Sequence, residues 1–138
     1  MFDALPRKVA AHEVVANRHR GGEIRVLLSP KTVGARSGFL GILRLDPGDY
    51  VTEHYHPYSE EFLYVVRGRL LVRVDTEPVE LTAGEALLVP MEARHRVENV
   101  GDSPAEAVFQ LSPLAPRPEL GHVDTEAPYV AEPAPRIG

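Results

Sequence analysis

Residues 48–68 read GDYVTEHYHPYSEEFLYVVRG, and residues 84–99 read GEALLVPMEARHRVEN. The first stretch contains His54 and His56, and the second contains His95. On a β-strand, residues two apart point to the same face and lie about 7 Å from each other. Two imidazoles that start from such positions can converge on one metal ion, with bonds of about 2.1 Å. The same spacing also occurs in histidine pairs on exposed strand faces, so the pair alone does not establish a metal site.

An acidic pair, Glu60 and Glu61, follows the two histidines after the turn-forming residues Pro57, Tyr58 and Ser59. A chain reversal at this point would bring one carboxylate of the next strand beside the histidines. Neighbouring residues on a strand point to opposite faces, so only one of the two carboxylates can face them. Because both faces of this strand are largely apolar, the pattern leaves the choice between Glu60 and Glu61 open.

Short apolar runs separated by turn signals extend outward from these stretches over most of the chain. The runs have the length of strands and occupy residues 24–28, 39–45, 62–66, 70–74, 86–89 and 107–111. One of the turn signals between them is the tripeptide at residues 76–78, which contains a proline. This pattern predicts a single all-β domain, either a sandwich or a small barrel. A helix is a candidate only at residues 7–16.

The two ends of the chain are expected to lie outside the sandwich. Six prolines fall in the last 26 residues, where each removes a backbone donor and disfavours both helix and central strand. We therefore predict an N-terminal arm (residues 1–22), a β-sandwich domain (residues 23–113) and a Pro-rich C-terminal tail (residues 114–138). The tail is expected to run extended over the surface and to be disordered in its last residues.

The composition of the 138 residues excludes several classes of function. The formal net charge of −5 leaves no basic excess to neutralise phosphates, so nucleic acid is not an expected partner. There are no cysteines, which excludes disulfides, thiolate catalysis and iron–sulfur clusters, and leaves His, Asp and Glu as metal ligands. No apolar run is long enough to cross a bilayer, and the N-terminus does not resemble a signal peptide. A soluble cytoplasmic protein is expected, with no membrane partner.

The spacing in the two stretches resembles the cupin family, whose members are metal-binding double-stranded β-helix, or jelly-roll, proteins. The matching positions are Gly48, His54, His56, Glu61 and Gly68 in the first family motif and Gly84, Pro90, His95 and Asn99 in the second. One position departs, because Glu92 stands where the family has glycine. A glutamate tolerates positive φ poorly, so an altered turn is expected there.

The resemblance implies a single-domain cupin jelly roll that binds one divalent metal ion through His54, His56, Glu61 and His95. It also selects Glu61 over Glu60 as the carboxylate ligand. Three imidazoles and one carboxylate leave one or two positions of a five- or six-coordinate ion open, which is typical of a catalytic rather than a structural site. This donor set suits iron, manganese, nickel, cobalt or zinc.

Residues 14–126 are similar to the small single-domain cupins of bacterial aromatic (type II) polyketide pathways, particularly in 14–35, 53–68 and 114–126. This similarity implies a metal-dependent polyketide cyclase of antibiotic or pigment biosynthesis. Such an enzyme closes a ring in a poly-β-ketone chain by intramolecular aldol condensation and then aromatises it by loss of water. Cyclisation needs no redox change, so a redox-inert ion suffices, and the similarity to these cyclases favours zinc. The implied partners are the polyketide itself, an acyl carrier protein that presents it, and a second copy of the chain in a homodimer.

The general base for such a reaction is not apparent from the sequence. Water on the metal is the first candidate, because a bound cation lowers the pKa of its water towards neutrality. Glu60 and Tyr55, the immediate neighbours of two ligands, are further candidates. Among the other histidines, His12 and His19 are expected to be solvated or to lie between subunits. His122 is expected at the surface, unless the tail folds over the mouth of the barrel.

Two other functions remain open, because cupin motifs indicate a fold and a metal but not a reaction. The first is an iron-dependent dioxygenase or oxygenase that acts on a phenolic or quinol substrate, which would use the same ligand set. The second is a non-catalytic cupin that binds a small molecule. Metal analysis combined with oxygen uptake distinguishes the oxygenase from the cyclase.

Overall fold

The computed structural model describes residues 7–127. Within this range ten strands form two five-stranded antiparallel sheets. The strands are β1 (Glu23–Leu28), β2 (Phe39–Leu45), β3 (Tyr50–Tyr55), β4 (Glu60–Arg67), β5 (Arg69–Val74), β6 (Glu77–Thr82), β7 (Ala86–Val89), β8 (His95–Asn99), β9 (Ala105–Ser112) and β10 (Val123–Asp124). One short α-helix, α1 (Pro30–Val33), and two 3₁₀ turns, Ala11–Glu13 and Pro118–Leu120, complete the described part.

The strand order is β1-β2-β9-β4-β7 in one sheet and β10-β3-β8-β5-β6 in the other, so neighbouring strands are mostly distant in sequence. This is the jelly-roll arrangement, and it confirms the predicted all-β fold. Every apolar run identified in the sequence lies within a strand. The boundaries at residues 22/23 and 113/114 stay predictions, and the expected disorder of the last residues falls on residues 128–138, outside the described range.

Side chains that alternate along the strands form a core between the two sheets. On β4, Glu61, Leu63 and Val65 are buried, while Phe62 and Tyr64 between them are exposed. The buried members of the core are Leu43, Leu45, Val51, Leu63, Val65, Leu70, Val72, Leu81, Val97, Ala105, Ala107, Phe109 and Leu111. Since the metal-ligand candidates lie on the same inner faces, the core and the candidate site share one interior.

Two predictions about local structure are wrong. Residues 7–16 form no α-helix but only the 3₁₀ turn Ala11–Glu13. The turn predicted at residues 76–78 lies instead at residues 75–76, where Asp75 takes the left-handed conformation (φ 54°), and β6 already begins at Glu77. Pro78 is accommodated because β6 is an edge strand, where a missing N–H need not interrupt a ladder.

The helix α1 was not predicted, because four residues are too short for a periodic signal. Its start is nevertheless defined by a cap, in which the Ser29 hydroxyl accepts a hydrogen bond from the Thr32 N–H at 3.2 Å. Its end is set by Gly34, whose φ of 72° is left-handed. This turn places α1 beside the open end of the sandwich.

Candidate metal centre

Four side chains from different parts of the sheets converge inside the sandwich. His54 lies on β3, His56 directly follows β3, Glu61 lies on β4 and His95 begins β8. All four are buried, and one potential ligand atom from each lies within 4.8 Å of the others. The two strands that carry His54 and His95 pair so that these residues stand opposite each other. The structure therefore brings together the residues that the sequence indicated, with Glu61 rather than Glu60 as the carboxylate.

The Nδ1 atom of each imidazole contacts a backbone carbonyl oxygen. His54 donates to Thr52 at 2.7 Å, His56 to Gly121 at 2.9 Å and His95 to Ala93 at 3.0 Å. A carbonyl oxygen can only accept, so each Nδ1 must carry the hydrogen. In the neutral ring the lone pair then lies on Nε2, the atom available to a metal.

The arrangement of these atoms fits a cation. The Oε1 atom of Glu61 lies 3.1 Å from Nε2 of His56 and 3.4 Å from Nε2 of His95. These separations match the about 3 Å between neighbouring ligands of an octahedral ion with bonds near 2.1 Å. Nε2 of His95 is buried and makes no hydrogen bond to any described residue. A divalent cation would supply the missing partner for this orphaned atom.

The electrostatics of the cluster favour a neutral His54 and a charged Glu61, the states in which these two side chains bind a metal. Burial, together with His95 and His122, lowers the pKa of His54 from 6.5 to about 2, so this ring is neutral. Burial alone would raise the pKa of Glu61, but the close approach of His56 and His95 brings it below its usual range. Burial lowers the pKa of His95, while contact with the Glu61 carboxylate outweighs burial and raises it overall.

A cavity of about 770 Å³ opens directly onto the cluster. His54, His56 and Glu61 line it, so three of the four candidate ligands are accessible to a molecule inside it. Most of the remaining wall is apolar and comes from β1, β2, the inner strands and the tail. Its apolar members include Val26, Phe39, Leu43, Leu63, Phe109 and Leu114. A largely apolar cavity with a few convergent polar groups is the usual form of a small-molecule site.

The tail closes one side of this cavity. We call residues 114–126 the strap. Within the strap, β10 pairs with β3, and the Thr125 N–H donates to the carbonyl oxygen of Glu53 at 2.9 Å. The Glu126 carboxylate accepts hydrogen bonds from the backbone N–H of Glu53 at 2.5 Å and from Nε of Arg96 at 2.8 Å. The strap is thus attached to the sheet that carries His54.

His122 was expected at the surface, and this prediction is wrong. Its ring stacks on His54, with ring centroids 4.3 Å apart and planes 12° from parallel. Its Nε2 contacts Asp124 Oδ1 at 2.7 Å, and its side chain is only 15% exposed. The pairing of β10 with β3 draws His122 inward, so the tail folds over the mouth of the barrel.

The other residues singled out in the sequence lie away from the cluster. Glu60 and Tyr55 alternate with Glu61 and His54 on their strands, and neither belongs to the cavity wall. Their roles as bases stay predictions, and the geometry gives neither a path to a bound molecule. His12 is exposed, as expected, whereas His19 is partly buried.

Two residues of the second motif support the cluster from outside. The side-chain NH₂ of Asn99 donates to the carbonyl oxygens of Leu45 and Ser103, each at 2.9 Å, and so ties β8 to the end of β2 and to the loop before β9. Glu92 adopts a φ of 70°, the conformation for which the family uses glycine, and its N–H donates to the carbonyl oxygen of His56 at 3.0 Å. The turn is kept despite the substitution.

Replacing Glu92 with glycine is therefore expected to raise the free energy of unfolding by up to about 1 kcal/mol. The left-handed conformation costs an L-residue about 1–2 kcal/mol, and the greater entropy of an unfolded glycine offsets part of this gain. Denaturation in urea measures the change. Asp75→Gly is the matched control, since Asp75 is also left-handed but accepts a hydrogen bond from the Arg94 N–H at 3.0 Å, which glycine would lose. A destabilised Glu92→Gly would contradict the strain assigned to this turn.

Sequence reasoning did not identify Thr52, which connects several parts of the site. Thr52 lies where the register between β3 and β8 shifts, and its carbonyl oxygen accepts the hydrogen bond that orients His54. Its own N–H donates to the carbonyl oxygen of Arg20 at 3.2 Å. The role depends on backbone atoms, which carry no signal in the sequence.

Among residues 7–127 there is no helix long and apolar enough to cross a membrane.

The chain matches one family model and is similar to known proteins over most of its length. The model of the cupin domain matches residues 41–111. Polyketide synthase CurC from Streptomyces cyaneus is 57% identical over 127 residues, which cover 92% of this chain and 82% of CurC. Tetracenomycin polyketide synthase protein TcmJ from Streptomyces glaucescens is 54% identical over 136 residues, which cover 98% of this chain and 91% of TcmJ.

A solved structure supports the same fold. The polyketide cyclase RemF from Streptomyces resistomycificus superposes with a TM-score of 0.71 at 18% sequence identity, covering 89% of this chain and 87% of RemF. At this level of identity the likeness concerns the fold alone.

Proposed function

The chain belongs to the cupin family, and from this premise we propose that it is a metal-dependent cyclase of polyketide biosynthesis. The observation that carries the proposal is the buried His54, His56, Glu61 and His95 cluster, which opens onto a large apolar cavity. The two relatives described above, both called polyketide synthase proteins, support the substrate class. The reaction proposed is aldol-type ring closure of a poly-β-ketone chain, followed by dehydration to an aromatic ring.

The chemistry of the cluster suits this reaction. A proton leaves the carbon between two carbonyls, and the electron pair left behind forms the new C–C bond to a distant carbonyl carbon of the same chain. The oxygen of that carbonyl takes up a proton, and the resulting hydroxyl is later lost as water. A divalent cation, when bound, supplies Lewis-acid stabilisation of the negative charge that develops on the carbonyl oxygens.

The protein itself contributes shape and exclusion of water. A flexible chain must be held in one folded geometry before its ends can react, and this ordering is a large part of the barrier. The apolar wall formed by residues such as Leu63, Val97 and Phe109 fits the carbon skeleton, while the strap covers the opening. The three Nδ1 hydrogen bonds hold the imidazoles in one orientation during this process.

We propose zinc as the metal, because ring closure involves no redox change. The same donors also suit iron, manganese, nickel or cobalt. The metal content of the purified protein, measured by plasma mass spectrometry, is the direct test. A redox-active metal at full occupancy would shift the proposal towards an oxygenase.

The function is tested by supplying a synthetic poly-β-ketone thioester to metal-loaded and metal-free protein. A cyclase forms the ring product with loss of water, at the same rate with and without oxygen, and only when metal is present. Iron at full occupancy with oxygen consumed in proportion to substrate would establish the oxygenase instead. Tight binding of the substrate with no product above the uncatalysed background would identify a non-catalytic binding protein.

Metal retention is expected to fall as the pH is lowered from 8 to 5. Imidazole binds a cation only in its neutral form, so protons compete with the metal. The pKa of His95 is raised by Glu61 against the effect of burial, and competition at this ring therefore begins above the usual value of 6.5. His54, with a pKa lowered to about 2, adds nothing in this range. Metal content after dialysis at each pH measures the effect, and constant occupancy would count against histidine ligation.

The association with partners stays a proposal. We propose a homodimer, supported by the apolar outer face on which Phe62, Tyr64 and Leu88 are each more than 40% exposed. Light scattering at micromolar concentration tests the homodimer, and a monomeric mass would contradict it.

Presentation of the substrate by an acyl carrier protein is also proposed, and comparison of carrier-bound with free thioester substrates would test it.

A further inference from the structure

The cavity contains a cationic side chain that the cluster does not use. Arg20 lines the cavity together with His54 and His122. Its Nε atom is buried and makes no hydrogen bond to any residue in the range 7–127. Most other arginines of this range lie within 4 Å of a carboxylate oxygen, including Arg18, Arg25, Arg44, Arg67, Arg69, Arg73, Arg96 and Arg117. Arg20 forms no such ion pair with the described residues.

The backbone holds Arg20 firmly in this position. Its carbonyl oxygen accepts the hydrogen bond from Thr52, the same residue whose carbonyl oxygen orients His54. The next residue, Gly21, has a φ of 105°, and a Cβ there would lie 1.8 Å from the Tyr50 carbonyl oxygen. The loop is therefore packed against β3, and Arg20 and His54 are fixed through one shared residue.

Neither the cavity wall nor the inner end of the strap leaves a carboxylate free for Arg20 among the described residues. The carboxylates of this region already have partners, since Asp124 contacts His122 and Glu61 contacts His56 and His95. A partly buried guanidinium without an anion is unfavourable, because its lost hydration is not replaced.

We propose that Arg20 binds an oxyanion of the substrate inside the cavity, next to the metal cluster. The group bound is either a carboxylate or the enolate oxygen of a β-dicarbonyl unit, both of which match the planar donors of a guanidinium. This inference rests on the proposed function, since a poly-β-ketone chain forms an enolate at its β-dicarbonyl units and gains a carboxylate once its thioester is hydrolysed. Arg20 would then fix which end of the chain lies beside the cluster and so select the carbonyls that react.

The test measures binding of three probes of similar length to metal-loaded protein by calorimetry. Octanoate carries a carboxylate, nonane-2,4-dione forms an enolate, and 2-nonanone is a neutral ketone. Arg20→Gln is expected to weaken the binding of octanoate, of nonane-2,4-dione or of both by at least about tenfold, because a charge-assisted contact is lost. The affinity of the same variant for 2-nonanone is expected to change less than about twofold. Whichever anionic probe responds identifies the group that Arg20 binds.

Lys31 provides the matched control, because it also lines the cavity but is exposed at its rim. Lys31→Gln removes the same charge and is expected to change all three affinities by less than about twofold. An equal loss in Lys31→Gln and Arg20→Gln would overturn the proposal in favour of a general electrostatic effect. Arg20→Lys, which keeps the charge, is expected to recover part of the affinity for the anionic probe.

A structural role for Arg20 predicts a different result. Because Nε of Arg20 makes no hydrogen bond and the side chain makes no ion pair with the described residues, Arg20→Gln is expected to keep the wild-type Tm. A lower Tm together with an equal loss of affinity for all three probes would overturn the proposal. An unchanged affinity of Arg20→Gln for octanoate and for nonane-2,4-dione would also overturn it. If the wild-type protein formed no ring product, the proposed reaction would be wrong, while a selective effect of Arg20→Gln on the anionic probes would still support anion binding by Arg20. If the protein were an active cyclase but Arg20→Gln affected all three probes alike, only the proposed role of Arg20 would be wrong.

Discussion

Replacing Glu61 with glutamine is expected to weaken binding of a divalent cation by at least about 100-fold and to abolish measurable ring closure. Glutamine has nearly the same shape, so the change removes the negative charge and little else. The carboxylate is buried and lies within 3.4 Å of two imidazole Nε2 atoms, where water cannot replace it. Loss of a buried charge partner costs about 3–5 kcal/mol, which is more than the 2.8 kcal/mol that corresponds to 100-fold. Competition with a chromogenic chelator measures the affinity.

Glu60→Gln is the control for this experiment, because it removes the same charge from the adjacent position on the opposite face of β4. Its metal affinity is expected to stay within about twofold of the wild-type value, since Glu60 is partly exposed to solvent and its charge is screened from the cluster. Circular dichroism establishes that both variants keep the β-fold. Equal metal affinity in the wild type and Glu61→Gln would contradict the ligand assignment, and equal losses in both variants would indicate a general effect of charge.

Replacing Gly21 with alanine is expected to lower the free energy of unfolding by about 3 kcal/mol or more. The new Cβ would lie 1.8 Å from the Tyr50 carbonyl oxygen and 3.3 Å from the Cα of Val51, so the backbone itself must move. This overpacking costs about 1–3 kcal/mol, and the φ of 105° adds about 1–2 kcal/mol for an L-residue. Equilibrium denaturation in urea measures the loss, and a variant that fails to fold satisfies the same expectation.

Gly84→Ala separates the two causes. Gly84 has a φ of 89°, but a Cβ at this position meets nothing within 4 Å. Only the conformational cost remains, so the expected loss is about 1 kcal/mol. If Gly21→Ala and Gly84→Ala lost the same free energy of unfolding, the close packing of the loop against β3 would not contribute to the cost of Gly21→Ala. The same loop holds Arg20. A substitution in this loop that destabilises the fold less than Gly21→Ala is therefore expected to change the affinity for the anionic probes while the protein stays folded.

Much of the fold and of the cluster could be predicted because the signals are local. His54 and His56 obey the period of two that a strand imposes, and the apolar runs have strand length, so both features can be identified within short windows. The choice of Glu61 over Glu60 needed the motif spacing, since alternation on β4 is compatible with either. The turn at Glu92 was uncertain because its side chain disfavours the conformation that the fold requires, whereas in the structure the residue adopts that conformation and its backbone N–H is bonded to the carbonyl oxygen of His56.

The features that could not be predicted depend on contacts between distant residues. The pairing of β10 with β3 joins positions nearly 70 residues apart through a strand of two residues, which has no periodicity to detect. His122 therefore had no sign in the sequence that it would stack on His54. Arg20 is likewise one arginine in a polar segment, and its place in the cavity depends on contacts of its loop with β3, including the hydrogen bond from Thr52.

The hydrogen bond from His56 to Gly121 has a consequence for how the protein matures. The ligand histidines and Glu61 precede Gly121 in the chain, so the ring of His56 can be fixed in its orientation only after the strap has been synthesised and has folded back. The carbonyl that fixes this ring belongs to the same segment that covers the cavity. Binding of a metal ion and closure of the cavity by the strap should therefore be completed together, after the strap has been synthesised.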